Sequence, residues 1–179
     1  MIPLQTLPSA PTVWFTGLSG AGKTTIARDV AARLTVRGIA NGLLDGDVLR
    51  GSISSDLGFS LADRAEQVRR TAHLARILGD CGVVPLVALV SPVRADRDAA
   101  RAVHPSGRFL EVHVSTPLRV CAERDVKGLY RGARTGEITD LTGISQAYEA
   151  PLSPELTVDG SEPTRLAVSV EELLGLILP

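Results

Sequence analysis

The chain has 179 residues, 44% hydrophobic and 22% charged, with a formal net charge of −1; this is the composition of one soluble domain long enough to bury a core. No apolar run reaches the roughly 20 residues of a membrane span, and the start lacks the basic residues and long apolar stretch of a secretory signal, so a cytoplasmic protein with no membrane partner is expected. Aromatics make up only 3% of the chain and there is no basic tail, which argues against a nucleic-acid partner.

Residues 1–11 carry three prolines and are expected as a flexible arm before a domain spanning 12–179. Thr12–Thr16 reads as the first strand. Lys23–Arg37 reads as a helix, with Ile26, Val30 and Leu34 on one face. Gly42–Leu44 ends the second strand. Ser60-Leu61-Ala62-Asp63 has the form of a capping box and opens a helix to Asp80, with Val68, Ala72, Ala75 and Leu78 inward. Val83–Val90 is a continuous apolar run, as in a strand covered on both faces. Pro85 within it belongs at the strand start or at a bulge, because proline removes a ladder hydrogen bond.

Arg94–Ala102 reads as a short helix and Phe109–Val114 as the fourth strand. Thr116-Pro117 resembles an N-cap followed by proline at the first helical position, giving a helix to Arg124. Residues 125–154 are glycine-rich and polar without clear periodicity; long loops of this kind are usually functional. Leu156–Val158 is the last strand. The final helix covers Pro163–Leu178, with Leu166, Val170, Leu173, Leu174 and Ile177 on one face. Strands alternating with helices predict an α/β three-layer fold around a parallel sheet of about five strands.

The chemistry starts at Gly17-Leu18-Ser19-Gly20-Ala21-Gly22-Lys23-Thr24, a G-x-x-x-x-G-K-T run between a strand and a helix. This is the phosphate-binding P-loop pattern. Its backbone N–H groups, with Thr25 just beyond, would cradle the phosphates of ATP. Lys23 would reach the β- and γ-phosphates, and the Thr24 hydroxyl would hold Mg²⁺, aided by the positive end of the helix. In parallel sheets ligands bind beyond the carboxyl ends of strands. Asp45 and Asp47 follow the second strand, and Ser91 and Arg94 the third, so they should converge on the same rim. A carboxylate there can orient an acceptor hydroxyl or hold Mg²⁺ through water.

Charge is uneven: Arg50–Arg134 holds 14 Lys+Arg against 9 Asp+Glu, while the rest holds 5 against 11. A basic middle suits a site for small polyanions. Cys81 and Cys121 form no C-x-x-C and are expected as reduced thiols. His73, His104 and His113 lack metal-ligand spacing.

Several stretches, in order, resemble adenylyl-sulfate kinases. They are Leu44-Asp45-Gly46-Asp47-Val48-Leu49-Arg50, Asp56-Leu57-Gly58-Phe59-Ser60, Asp63-Arg64 with Arg69-Arg70, and Ser91-Pro92-Val93-Arg94. Further on come Cys121-Ala122-Glu123-Arg124-Asp125, Lys127-Gly128-Leu129-Tyr130, Thr142-Gly143-Ile144 and Tyr148-Glu149-Ala150-Pro151. The resemblance implies a P-loop kinase fold that transfers the γ-phosphoryl of ATP to the 3′-hydroxyl of adenosine 5′-phosphosulfate. It implies an acceptor site of Asp45, Asp47, Arg50, Phe59, Arg64 and Lys127, with Phe59 stacked on adenine and residues 125–154 as a lid. Lid arginines such as Arg131 or Arg134 would screen charge. It also implies a homodimer and association with ATP sulfurylase.

The family assigns a phosphoserine role at the position of Ser91. Direct in-line transfer needs only positioning and charge neutralisation, so Ser91 reads here as a contact to the acceptor. Two positions expected in the acceptor pocket depart from the family: Gln67 replaces asparagine, and Leu141, before Thr142, replaces phenylalanine. Val126 replaces a proline. These departures keep open a paralogue acting on a different nucleotide-like acceptor. A nucleotide-binding protein without turnover is the remaining alternative; the intact Lys23, Thr24, Asp45 and Asp47 argue against it.

Overall fold

The five strands form one sheet in which every pairing is parallel. The computed structural model describes residues 4–8 and 10–178. Strands β1 (Thr12–Thr16), β2 (Asn41–Asp45), β3 (Val84–Ala88), β4 (Phe109–Val114) and β5 (Leu156–Val158) lie in the order β2-β3-β1-β4-β5. The central strand β1 feeds both faces. Its Val13 and Phe15 join Leu86 and Val112 in a core with the apolar stripes of α1 (Lys23–Val36) and α7 (Pro163–Ile177). Its Trp14 points the other way. There it joins Val87 and Phe109 against Val68, Ala72 and Ala75 of α3 (Leu61–Asp80) and Ala100 of α4 (Arg94–Ala102). The side chains of residues 163–166 lie outside the described residues, and with them the expected Leu166 of the α7 stripe.

Pro85 sits second in β3, at the strand start as its chemistry requires. Val84 donates its N–H to Ala40 on the β2 side. Position 85 therefore faces β1, whose pairing with β3 begins only at Val13 and Leu86. In the N-terminal stretch, Gln5 bridges Ile39, the Leu7 N–H donates to Gly82 O at 2.9 Å, and Ala10 is buried. Residues 1–3 and Ser9 of the expected arm are outside the described residues.

Ser60 caps α3 as expected, its Oγ accepting from the Asp63 N–H at 3.1 Å. The next cap differs. Helix α5 (Leu118–Arg124) starts one residue later than the sequence suggests, with Pro117 itself at the cap position. Thr116 does not cap; its Oγ1 donates instead to Ala21 O, 2.7 Å away under the P-loop.

Two helices were not legible in the sequence, α2 (Gly46–Arg50) and α6 (Leu129–Thr135). Neither is long enough for a 3.6-residue period to show. Beyond α6, the chain turns tightly at Leu141, whose carbonyl accepts the N–H groups of Ile144, Ser145 and Gln146. At that turn the Leu141 side chain is directed inward. It is 5% exposed and belongs to the core cluster on the α1 face.

The core placement of Leu141 generates a stability expectation. Leu141→Phe should overpack this site and cost about 1–3 kcal/mol, seen as a lower urea midpoint. An unchanged midpoint together with tighter binding of adenylyl sulfate would put position 141 back on the acceptor wall.

Candidate active site

Gly17 leaves β1 with φ 148, and a Cβ there would stand 2.5 Å from Val114 O, so only glycine fits. Gly22 caps α1 with φ 106, a conformation that L side chains rarely adopt. From Gly17 to Ala21, each carbonyl of the loop is held by a side chain. Lys23 Nζ donates to Gly17 O at 2.9 Å and to Leu18 O at 2.7 Å. The Tyr130 hydroxyl donates to Ser19 O at 2.8 Å, Arg124 Nη1 to Gly20 O at 3.4 Å, and Thr116 Oγ1 to Ala21 O.

Asp45 ends β2 and is buried. Its Oδ2 accepts from Thr24 Oγ1 at 2.6 Å, and its Oδ1 accepts the Asp47 N–H at 2.9 Å, capping α2. Asp47, two residues on, is exposed and ion-paired with Lys127. Phe59 is 56% exposed and has two cations near its ring, with Arg50 Cζ 4.6 Å and Arg64 Cζ 5.5 Å from the ring centroid. Arg64 also reaches across to Gln146 Oε1 at 3.1 Å and Asp140 O at 2.9 Å. Ser91 is buried, and its Oγ accepts from Trp14 Nε1 at 3.1 Å.

A single cavity of about 470 Å³ joins these groups. From the P-loop it is lined by Ser19, Gly20, Gly22, Lys23, Thr24 and Thr25. Asp45, Asp47 and Arg50 line it from the end of β2 and α2, Phe59, Arg64 and Gln67 from the start of α3, and Ser91 and Lys127 complete it. Not every expected residue reaches the wall. Gly17, Leu18 and Ala21 do not line the cavity. Ala21 is fully buried, and Leu18 packs against the core. Leu141 and Thr142 do not line it either; both are buried at the tight turn. Arg131 and Arg134 do not line it either; Arg124 does. Gln67 is 2% exposed, and neither end of its amide has a partner.

Comparison with known proteins adds that residues 9–159 match the family described as Adenylylsulphate kinase. The chain belongs to that family. An adenylyl-sulfate kinase of Shewanella amazonensis is 56% identical over 150 residues, covering 84% of this chain and 76% of its own. The structure of the Mycobacterium tuberculosis APS kinase CysC in complex with AMPPNP and APS is similar at TM-score 0.90. It has 45% identity and covers 96% of this chain and 99% of its own. A hexameric APS kinase from Thiobacillus denitrificans is 33% identical at TM-score 0.67, matching 94% of this chain but 29% of that longer one.

Sequence reasoning missed Tyr130, Arg124 and Thr116 as holders of the P-loop. Tyr130 and Arg124 stand inside family-like motifs, but their role is a contact to a backbone carbonyl, which no residue pattern announces.

Lys23 shows what the site does to a charge. Burial, and then the nearby Lys127 cation, push its ammonium down to about 8, while Asp45 and Asp47 pull the other way. A bound polyphosphate favours the charged form. Nucleotide binding at pH 8 should therefore take up about half a proton, and almost none at pH 6.5, where Lys23 is already charged. Titration calorimetry in two buffers of different ionisation enthalpy reads this. Equal heats at pH 8, or the same uptake in Lys23→Ala, would exclude Lys23 as the group.

Proposed function

We propose that the protein transfers the γ-phosphoryl group of ATP to the 3′-hydroxyl of adenosine 5′-phosphosulfate, giving 3′-phosphoadenylyl sulfate and ADP. The observation that carries this reading is the single cavity joining the P-loop to Phe59 and its two arginines. A kinase needs donor and acceptor in one water-poor space, and a nucleotide acceptor needs an aromatic face and cations for its phosphosulfate. The relative bound to AMPPNP and APS is occupied in the way this reading requires.

The P-loop N–H groups and Lys23 hold the triphosphate, and Lys23 exchanges its two carbonyl partners for phosphate oxygens. Thr24 Oγ1 and Asp45 Oδ2 form a pair of hard oxygens fit for Mg²⁺, which takes few protein ligands and keeps water and phosphate around it. When bound, Mg²⁺ neutralises charge on the transferring phosphoryl group. Asp45 is pinned by Thr24 and by its cap on α2, which suits the metal side. Asp47 is exposed and its pair with Lys127 is open to water, which suits it to orient the acceptor hydroxyl. Phe59 receives the adenine, and Arg50, Arg64 and Lys127 face the phosphosulfate. Ser91 contacts the acceptor without a covalent step. The reading includes a homodimer and association with an ATP sulfurylase, both carried over from the family resemblance, and a cytoplasmic setting, expected from the sequence's lack of a membrane span or secretory signal. Among the described residues, no helix is long and apolar enough to cross a membrane.

An ADP-release assay with adenylyl sulfate and AMP as acceptors tests the reaction; turnover with AMP but not with adenylyl sulfate would end it. In the same assay Asp47→Asn should lower kcat about 100-fold or more with the KM for ATP little changed. Asp45→Asn should instead raise the Mg²⁺ needed for half-maximal rate. If both variants stay within about threefold of wild type under all conditions, the two carboxylates have been assigned wrongly.

A further inference from the structure

Arg97 takes no part in the chemistry above, yet it is 1% exposed. A guanidinium buried so deeply requires partners for its charge and its N–H groups, and those partners are informative. Nε pairs with Glu111 Oε1 at 2.7 Å. Nη1 donates to Ser91 O and Nη2 to Glu149 O, each at 2.7 Å. The Tyr148 ring centroid lies 5.8 Å from its Cζ. One carboxylate neutralises the charge; the other two bonds hold backbone carbonyls of distant segments.

Both segments matter to the cavity. Ser91 lines it and has φ 39, a left-handed conformation that crowds Cβ in any residue but glycine. Such a turn persists only where its surroundings hold it. Here Arg97 holds its carbonyl and Trp14 its hydroxyl. Glu149 stands at the foot of the 125–154 segment. Its N–H donates to Pro92 O at 2.9 Å, and its Oε2 accepts the Arg94 N–H at 2.8 Å. It thereby supplies α4 with the cap that Val93 lacks. Next to it, the Tyr148 hydroxyl is 3.0 Å from Thr16 Oγ1 at the end of β1.

We infer that Arg97 is a positioning residue whose guanidinium locks the Ser91 turn to the foot of the 125–154 segment, and so fixes where the acceptor lies relative to the P-loop. The inference rests on the kinase reading given above. Glu111 keeps the guanidinium plane in place, and the seam behaves as one body from Ser91 to Ala150.

Arg97→Lys keeps the charge beside Glu111 but cannot present a planar fork to separated acceptors. It should therefore lower kcat/KM for the acceptor about tenfold or more and leave the KM for ATP within about two-fold. Trp14 is the only tryptophan of the chain, so its emission reports on the turn directly. It should shift in Arg97→Lys with no nucleotide present. A folded variant with unchanged emission and unchanged kinetics would overturn the inference, as would equal losses for both substrates. If Arg97→Lys does not fold, Arg97→Gln decides, because it cannot span Ser91 O and Glu149 O while Glu111 keeps Arg101 as a counter-ion. An acceptor-selective loss supports the seam, and wild-type kinetics overturn it. An inactive wild-type protein would count against the kinase reading instead, and the Trp14 emission would still decide the hold of Arg97 on Ser91.

Discussion

The orientation of the P-loop peptide planes is the constraint on which the rest depends. To point N–H groups at a polyphosphate, the loop must turn its carbonyls away, and buried carbonyls must then find donors. From Gly17 to Ala21 every carbonyl has one, supplied by Lys23, Tyr130, Arg124 and Thr116. Only Lys23 comes from the loop itself. The others come from the start of α5, its end, and α6, so the segment after β4 is part of the nucleotide site although it holds no phosphate-binding motif. The arrangement also explains the space for Gly160. A Cβ there would stand 2.4 Å from Ala21 O and 2.6 Å from Thr116 Oγ1, in the middle of one of these contacts.

The basic middle of the chain pointed to a polyanion site, and the structure divides that charge in two. Arg69, Arg70, Arg76, Arg97, Arg101 and Arg119 are in ion pairs with carboxylates. Arg70, for example, ties the middle of α3 to Asp56 and to Ile53 O, while Arg69 pairs with Glu66 on its own helix. The cations of this stretch that face the cavity are Arg50, Arg64, Arg124 and Lys127, joined by Lys23 from the P-loop. They surround it from four helices and the loop after α5, which spreads positive potential along the cavity.

What could be read in the sequence follows from how each feature is encoded. The strands and long helices were legible because burial on both faces of a parallel sheet leaves continuous apolar runs such as Val84–Ala88, and amphipathic helices leave a period. The P-loop was legible because its glycines answer a backbone requirement local to the loop. Helices α2 and α6 were not, being too short for a period; Asp45 and Asp47 were read as carboxylates on the rim, but that Asp45 also caps a helix was not. Leu141 misled for a related reason. A substitution relative to a family pattern says that a site changed, but not which way the side chain faces, and here it is buried in the core cluster. Arg97 was invisible as anything but one arginine in a charged helix, since its partners come from β4, the Ser91 turn and the Tyr148-Glu149 stretch.

The strength of these contacts differs along the 125–154 segment. Near its start, Lys127 and Asp47 pair in the open, with 50% and 66% of their side chains exposed, a contact worth about 0–1 kcal/mol. In its middle, Arg64 reaches Asp140 O and Gln146, again near the surface. At its end, the bonds to Glu149 run through a guanidinium buried at 1% exposure, and breaking one partner away from such a group is costly. Water can replace the first two sets of contacts but not the last. The contacts that water can replace, Lys127 with Asp47 and Arg64 with Gln146, are the ones that face the acceptor. The same segment is anchored elsewhere by Tyr130 and Leu141 in the core and by the bond from Arg97 to Glu149. The weak contacts are therefore confined to the groups that must exchange partners when an acceptor enters, while the P-loop carbonyls of Ser19 and Ala21 keep their donors from Tyr130 and Thr116.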